Sequence, residues 1–375
     1  MRIGIPKEVK PNEKRVGLVA ESVQELVRDG HAVFVQAGAG AGIGQSDALY
    51  EAAGATILPD AAAIFEAAEM IVKVKEPQAA ECAMLRPGQI LFTYLHLAAD
   101  RRQAEGLLKS GATAIAYETV TAPEGGLPLL APMSEVAGRM SVQAGARCLE
   151  GASGGAGLLL GGVPGIDPAK VVVLGAGVAG SHAIAMAVGL GAEVVAIDRD
   201  IRRLRALDAH YHGRIKTAYS TSAAIERHVL EADLVIAAVL IPGAAAPKLI
   251  SRDLVSRMKP GSAIVDVAVD QGGCAETTRA TTHDDPTYIV DGVVHYCVAN
   301  MPGGVARSAA FALNNATLPY VRRLAARGLD ALRDDPHFLA GLNIYSGAVT
   351  HAAVARDLGY RLVAAAETLK LQRVA

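Results

Sequence analysis

The stretch Val171–Asp198, VVVLGAGVAGSHAIAMAVGLGAEVVAID, decides the fold. Residues 171–174 are a short apolar run of the kind buried in parallel sheets. Gly175, Gly177 and Gly180 then form G-x-G-x-x-G where that strand ends. The first glycine permits a tight turn, the second lets a pyrophosphate approach the backbone, and the third brings helix against strand. Free N–H groups and the positive dipole end at the helix start suit the same pyrophosphate. Residues 193–197 read as a second strand, and Asp198 at its end is placed to grip the adenosine ribose hydroxyls. Strand, glycine turn, helix, strand and an acid about 20 residues on are the context a dinucleotide fingerprint needs.

Residues 171–192 carry no formal charge and are long enough to span a bilayer. Their glycines, with Ser181 and His182, fit a strand–turn–helix better, so no membrane span is expected. The chain of 375 residues has material for about two domains with ample core. A net charge of -2 and the lack of a basic block argue against nucleic acid or an anionic membrane as partner. The N-terminus, MRIGIPKEVK, has no apolar signal-peptide run, which points to the cytoplasm. Cys82, Cys148, Cys274 and Cys297 lack C-x-x-C spacing, so reduced buried thiols are expected, with no disulfide frame and no metal site.

Along the chain, strands are expected at 2–6, 31–36, 55–58, 70–75, 89–95 and 113–117, alternating with helices. Ser22 with Glu25 reads as a capping box opening a helix that Gly30 ends, and Asp60 as the cap of a later helix. This alternation implies a parallel, helix-covered sheet and a first α/β domain. Ser134 reads as the cap of a helix running to about 149. The glycine-rich segment 151–168 then leads into the nucleotide-binding unit, with further strands near 217–220, 233–240, 263–267 and 287–290. A long helix over 307–328 is placed to cross back to the first domain. The expected fold is two Rossmann-like, doubly wound parallel-sheet domains flanking a cleft. Residues 1–128 plus 307–375 form the discontinuous substrate domain, and 129–306 the NAD-binding domain.

Ligands in such folds bind at the C-terminal ends of parallel strands. That rule selects Lys75, at the end of MIVKVK, and His96, at the end of QILFTYL. Arg15 lies in the loop after the first strand. An Arg and a Lys converging on one crevice suit a small carboxylate, and a histidine there is able to move a proton near neutral pH. Each alone also fits a structural role, as a solvated charge or a satisfied edge histidine. In IVDVAVDQGG, Asp266 falls within or at the end of a strand, and Asp270 follows directly, although D-Q-G-G is also good turn chemistry. Asn300 and Met301 come after another strand-like run.

Together these segments strongly resemble alanine dehydrogenase. The resemblance is carried by GIPKEVKPNEKRVGL, the KEP at Lys75–Pro77, FTYLHLA around His96, IVDVAVDQGG, YCVANMPG and NNATLPYV, and it covers nearly the whole chain. It implies NAD-dependent oxidative deamination of L-alanine to pyruvate and ammonium, and the reverse. Arg15 and Lys75 are then implied to hold the substrate carboxylate, with Asn300 beside them, and His96 and Asp270 to be the acid/base pair. Ser134, Val178, Asp198, Arg203, Ser220, Val239, Leu240, Val267, Arg279, Val298 and Met301 match family positions near the dinucleotide, together with the three glycines. The family is typically hexameric, so a homo-hexamer is implied.

The sequence departs from the family's usual pattern at Val19–Ala20, Ala306, Ile344 and Ser346, none of them a catalytic position. Two rivals share its features. The soluble NAD(H)-binding component of a proton-pumping transhydrogenase has the fold and much of the first signature but needs no substrate acid/base. An opine-type dehydrogenase joins an amino acid to a keto acid by related imine chemistry.

Overall fold

The computed structural model describes residues 1–239 and 246–371. The chain divides into two compact units, Met1–Met133 with Val305–Ala375, and Ser134–Gly304.

The first unit opens with six strands: β1 (Arg2–Ile5), β2 (Ala32–Gln36), β3 (Thr56–Leu58), β4 (Met70–Val72), β5 (Ile90–Thr93) and β6 (Thr113–Ala116). They pair in parallel in the order β3-β2-β1-β4-β5-β6. The order reverses between β1 and β4, so the loops after these two strands border the point where a doubly wound sheet takes its ligand. Strands β4, β5 and β6 are buried at every position, as a sheet covered by helices on both faces requires.

The second unit holds β7 (Lys170–Leu174), β8 (Glu193–Asp198), β9 (Lys216–Tyr219), β10 (Leu234–Ala237), β11 (Ala263–Asp266), β12 (Thr287–Val290) and β13 (Val293–Tyr296). Its order is β9-β8-β7-β10-β11-β13-β12, all parallel except the edge strand β12. Alternate residues feed two cores. Val171, Val173, Ala196 and Ile236 join one cluster, while Val172, Leu174, Ile197 and Val235 join another on the opposite face.

The chain then returns to the first unit through the helix Ala306–Arg327. Two short strands complete the first sheet, β14 (Leu342–Tyr345) antiparallel to β6 and β15 (Ala348–Val349) antiparallel to β14. Ser346 and Gly347 turn this hairpin with φ of +47° and +77°, and two positive φ values are what a tight I′ turn demands. The two sheets are therefore mixed at their edges and not wholly parallel as the alternation implied.

Two helix starts differ from expectation. The Ser22–Glu25 capping box does not form, because the helix begins earlier and spans Ala20–Arg28 with Ser22 buried inside it. Side-chain amides from distant segments cap it instead: Val19 N–H donates to Asn314 Oδ1 at 2.8 Å and Ala20 N–H to Gln45 Oε1 at 2.7 Å. Ser134 is likewise inside its helix, Ala131–Cys148, whose first turn accepts Pro132 because no N–H is needed there. Asp60 does cap its helix, accepting from Ala63 N–H at 2.9 Å. β4 and β10 are shorter than the apolar runs suggested, the strand-like run before Asn300 is β13, and β14 and β15 were not foreseen. All four cysteines are free and buried. Among the described residues no helix is long and apolar enough to cross a membrane.

Candidate functional site

In the second unit each glycine of the turn after β7 has its own physical reason. Gly175 has φ +92°, and a Cβ there would press on Ala238 O at 2.8 Å. At Gly180 a Cβ would stand 1.7 Å from Gly175 O, so only glycine lets the helix Val178–Gly189 start against the strand. A Cβ on Gly177 meets nothing nearer than Arg203 Nη1 at 3.6 Å, so the space in front of this backbone is open. The helix start has no side-chain cap, which leaves its first N–H groups for an anion. These features fit a dinucleotide pyrophosphate.

Asp198 is nearly buried at the end of β8. Its Oδ2 accepts from Ala176 N–H at 2.6 Å, its Oδ1 from Asp200 N–H at 2.7 Å, and Arg203 Nη1 lies 3.6 Å from Oδ2. Ser220 N–H donates to Asp198 O at 3.1 Å. Val178 stands exposed at the first position of the helix. Val239 follows β10 against Gly175, while Leu240 lies outside the described residues. Asp198 thus ends its strand, and Gly175, Val239, Val267 and Val298 follow theirs, at the same end of five neighbouring strands.

Past Val267, Asp270 is exposed on the short turn Val269–Gln271. The loop bearing it is gathered by buried Asp266, which accepts from Ala268 N–H at 3.0 Å, Cys274 N–H at 2.7 Å and Thr278 Oγ1 at 2.6 Å. Asn300 adopts φ +62°, and His283 Nε2 donates to its carbonyl at 3.1 Å. Met301 is buried as it opens the turn Met301–Val305. Arg279 lies over the Tyr288 ring at 4.0 Å from the centroid. Ser134 sits in the first turns of the helix Ala131–Cys148 and not at a loop end.

In the first unit, Arg15 is buried, its Nε donating to Glu13 Oε1 at 2.7 Å, its Nη2 to Glu13 Oε2 at 2.5 Å and its Nη1 to Met133 Sδ at 2.9 Å. Burial opposes the charge of Arg15, but hydrogen bonding and charge from Glu13 outweigh it and raise the pKa. Lys75 lies just past β4, and burial, followed by repulsion from Arg15, pushes its pKa below the ordinary lysine value. The Arg15 charge is thus felt at Lys75. His96 follows β5 with φ +50°, its ring stacked on Tyr94 at 5.8 Å between centroids.

Three acids around these residues escaped the sequence reading. Glu13 locks Arg15. Glu8, after β1, accepts from Val74 N–H at 2.7 Å and from the Nζ of fully buried Lys73 at 3.0 Å, while Lys73 also contacts Glu81 at 2.8 Å. Glu118, after β6, accepts from His96 N–H at 2.6 Å. The strand-end rule that selected Lys75 and His96 also points to Glu8 and Glu118 when applied to β1 and β6. For Glu13 the only signal was its place two residues before Arg15.

Both units match known proteins. Residues 4–137 match the family described as alanine dehydrogenase/PNT, N-terminal domain, and residues 141–352 its C-terminal domain. An alanine dehydrogenase of Halomonas elongata is 61% identical over 98% of this chain and 100% of its own length. One of Mycobacterium tuberculosis is 54% identical over 96% of this chain and 97% of its own. A solved L-alanine dehydrogenase structure superimposes with a TM-score of 0.93 at 54% identity, covering 96% of this chain and 99% of that one. A transhydrogenase structure from Sinorhizobium meliloti gives 0.80 at 30% identity, covering 94% and 100%.

Proposed function

Because the chain belongs to the alanine dehydrogenase/PNT family and is an amino-acid dehydrogenase, we propose that it interconverts L-alanine with pyruvate and ammonium using NAD. The observation that carries this reading is full-length similarity to alanine dehydrogenases at 61% and 54% identity, against 30% to the solved transhydrogenase.

In this reading residues 1–128 plus 307–375 are the substrate domain and 129–306 the NAD-binding domain. The open backbone at Gly177 and the uncapped helix start hold the pyrophosphate, and Asp198 takes the ribose hydroxyls. Ser134, Val178, Arg203, Ser220, Val239, Leu240, Val267, Arg279, Val298 and Met301 complete the nucleotide site. When bound, the nicotinamide supplies the hydride acceptor or donor. Arg15 and Lys75 fix the substrate carboxylate, which orients the α-carbon, and Asn300 lines the same site. In the amination direction His96 donates a proton to the departing oxygen of the carbinolamine, while Asp270 handles the attacking amine and its cation. A homo-hexamer in the cytoplasm is the proposed setting.

The test is NADH oxidation by the purified protein with pyruvate, ammonium, or both. Turnover that requires both supports the assignment. Turnover with a second nucleotide as acceptor and no need for ammonium returns the transhydrogenase reading. Lysine replacing ammonium as the preferred amine returns the opine-type one.

A further inference from the structure

Glu118 arises in the turn after β6, next to the turn after β5 that carries His96. Its Oε1 accepts from His96 N–H at 2.6 Å, and both of its oxygens lie 3.2 Å from Leu95 N. These bonds hold a histidine at φ +50°, a left-handed conformation that a non-glycine residue keeps only where its surroundings impose it. The same Oε1 is 3.8 Å from His96 Nδ1, within ion-pair range. On its flat side the imidazole stacks nearly parallel to Tyr94, at 6°, and Tyr94 is tied down by its hydroxyl donating to Leu129 O at 2.5 Å. Of the two ring nitrogens, Nδ1 is thus the one in ion-pair range of the carboxylate.

We propose that Glu118 is a positioning residue for His96, holding the proton on Nδ1 and leaving Nε2 to exchange protons with the substrate. The inference rests on the reading of His96 as the acid/base. A base oriented by a third group is the arrangement such chemistry repeatedly uses. His96 lies in ion-pair range of Glu118, and Tyr94 and His351 also feel its charge. Burial keeps Tyr94 protonated and neutral, and burial lowers the pKa of His351, so that ring is neutral as well. The carboxylate is 14% exposed and His96 49%, so the acid stays fixed while the imidazole reaches solvent and substrate.

The test is Glu118→Gln, whose amide oxygen still accepts the two backbone N–H groups but brings no charge. Loss of the anion disfavours imidazolium, so the His96 limb of the kcat–pH profile moves to lower pH by about 0.5–1 unit. The kcat at pH 7 falls roughly tenfold while the NADH dissociation constant stays within twofold. A lower kcat with an unmoved limb overturns the proposal and leaves Glu118 a backbone fastener. If Glu118→Gln does not fold, the protein itself decides: nitrogen-15 NMR of histidine-labelled enzyme, with His96→Gln for assignment, shows the Nδ1–H tautomer at His96. An Nε2–H tautomer overturns it. The underlying reading fails separately, if His96→Gln keeps kcat within threefold of the parent.

Discussion

Asp198 Oδ2 accepts the backbone N–H of Ala176 at 2.6 Å, so the acid that ends β8 also fastens the glycine turn that ends β7. In the proposed reading the same side chain also sets the choice of nucleotide. A 2′-phosphate brought to this carboxylate meets a like charge, only partly offset by Arg203 at 3.6 Å. The expected outcome is a kcat/KM for NADH well above that for NADPH, and the reverse preference excludes the assignment. Asp198→Ala orphans buried N–H groups, so it costs about 1–3 kcal/mol in denaturant unfolding as well as nucleotide affinity.

The glycines of that turn separate folding from binding. Gly180→Ala puts a methyl 1.7 Å from Gly175 O, so the turn must open; a lower Tm together with loss of NADH binding is expected. Gly177→Ala meets nothing within 3.5 Å, its nearest neighbour being Arg203 at 3.6 Å. That variant folds with a Tm near the parent's, yet the methyl occupies the pyrophosphate's place, and NADH binding weakens at least about tenfold. Titration calorimetry beside a thermal melt reads both. Equal Tm losses in the two variants contradict the distinction.

The same pair of positions shows why much of this protein was legible in its sequence. The glycine turn depends on contacts between residues close in the chain, and local spacing records such contacts. The cap of the helix Ala20–Arg28 was illegible for the opposite reason. Asn314 lies 295 residues from Val19, and nothing near Ser22 announces that distant amides will displace its capping box. Lys73 and Lys75 illustrate a finer limit. Two lysines in one apolar run look alike, and only the structure shows that Lys73 is buried between Glu8 and Glu81 while Lys75 feels the charge of Arg15. The edge strand β15 was missed because two residues hold too few positions for alternation to register, and β14 beside it is the other half of the same short hairpin.

Arg15 and Lys75 should act on the substrate and not on the nucleotide. Replacing either with Ala removes a charge-assisted hydrogen bond worth on the order of 2–3 kcal/mol, a 30- to 150-fold fall in kcat/KM for pyruvate. NADH binding is expected to stay within a few-fold. The lowered pKa of Lys75 adds a pH signature: its ammonium is lost below the usual lysine pH, so KM for pyruvate rises on the alkaline side earlier than an exposed lysine would give. A Lys75→Arg enzyme, which stays charged, should keep a flat KM over that range. An identical alkaline rise in both enzymes assigns it to another group.

Lys73 is expected to matter for stability. Its Nζ lies 3.0 Å from Glu8 and 2.8 Å from Glu81, with all three side chains nearly inaccessible. Lys73→Met strands two buried carboxylates and should cost about 3–5 kcal/mol, the usual penalty for breaking a buried pair from one side. Because Glu8 also holds Val74 N–H at 2.7 Å, beside Lys75, KM for pyruvate should rise too. Urea unfolding and steady-state kinetics measure the two effects. A stability within 1 kcal/mol of the parent shows that the carboxylates take protons or water without strain.

His96 and Asp270 carry the sharpest test, because they stand on different units and yet are assigned one task. Forming the carbinolamine and losing water from it each move protons, and one group must donate to the leaving oxygen while another serves the amine. Neither half of that sequence proceeds quickly without the other. His96→Ala and Asp270→Asn are therefore expected to lose at least roughly 100-fold in kcat each, a conservative size for general acid–base catalysis, while still binding NADH. The double variant should be scarcely slower than the worse single one, since groups that act as a unit do not contribute additively. Multiplicative losses instead mean two independent roles. Asp270→Asn with activity within a few-fold of the parent leaves the carboxylate as turn chemistry in D-Q-G-G, held in its loop by Asp266 and taking no part in the proton transfers.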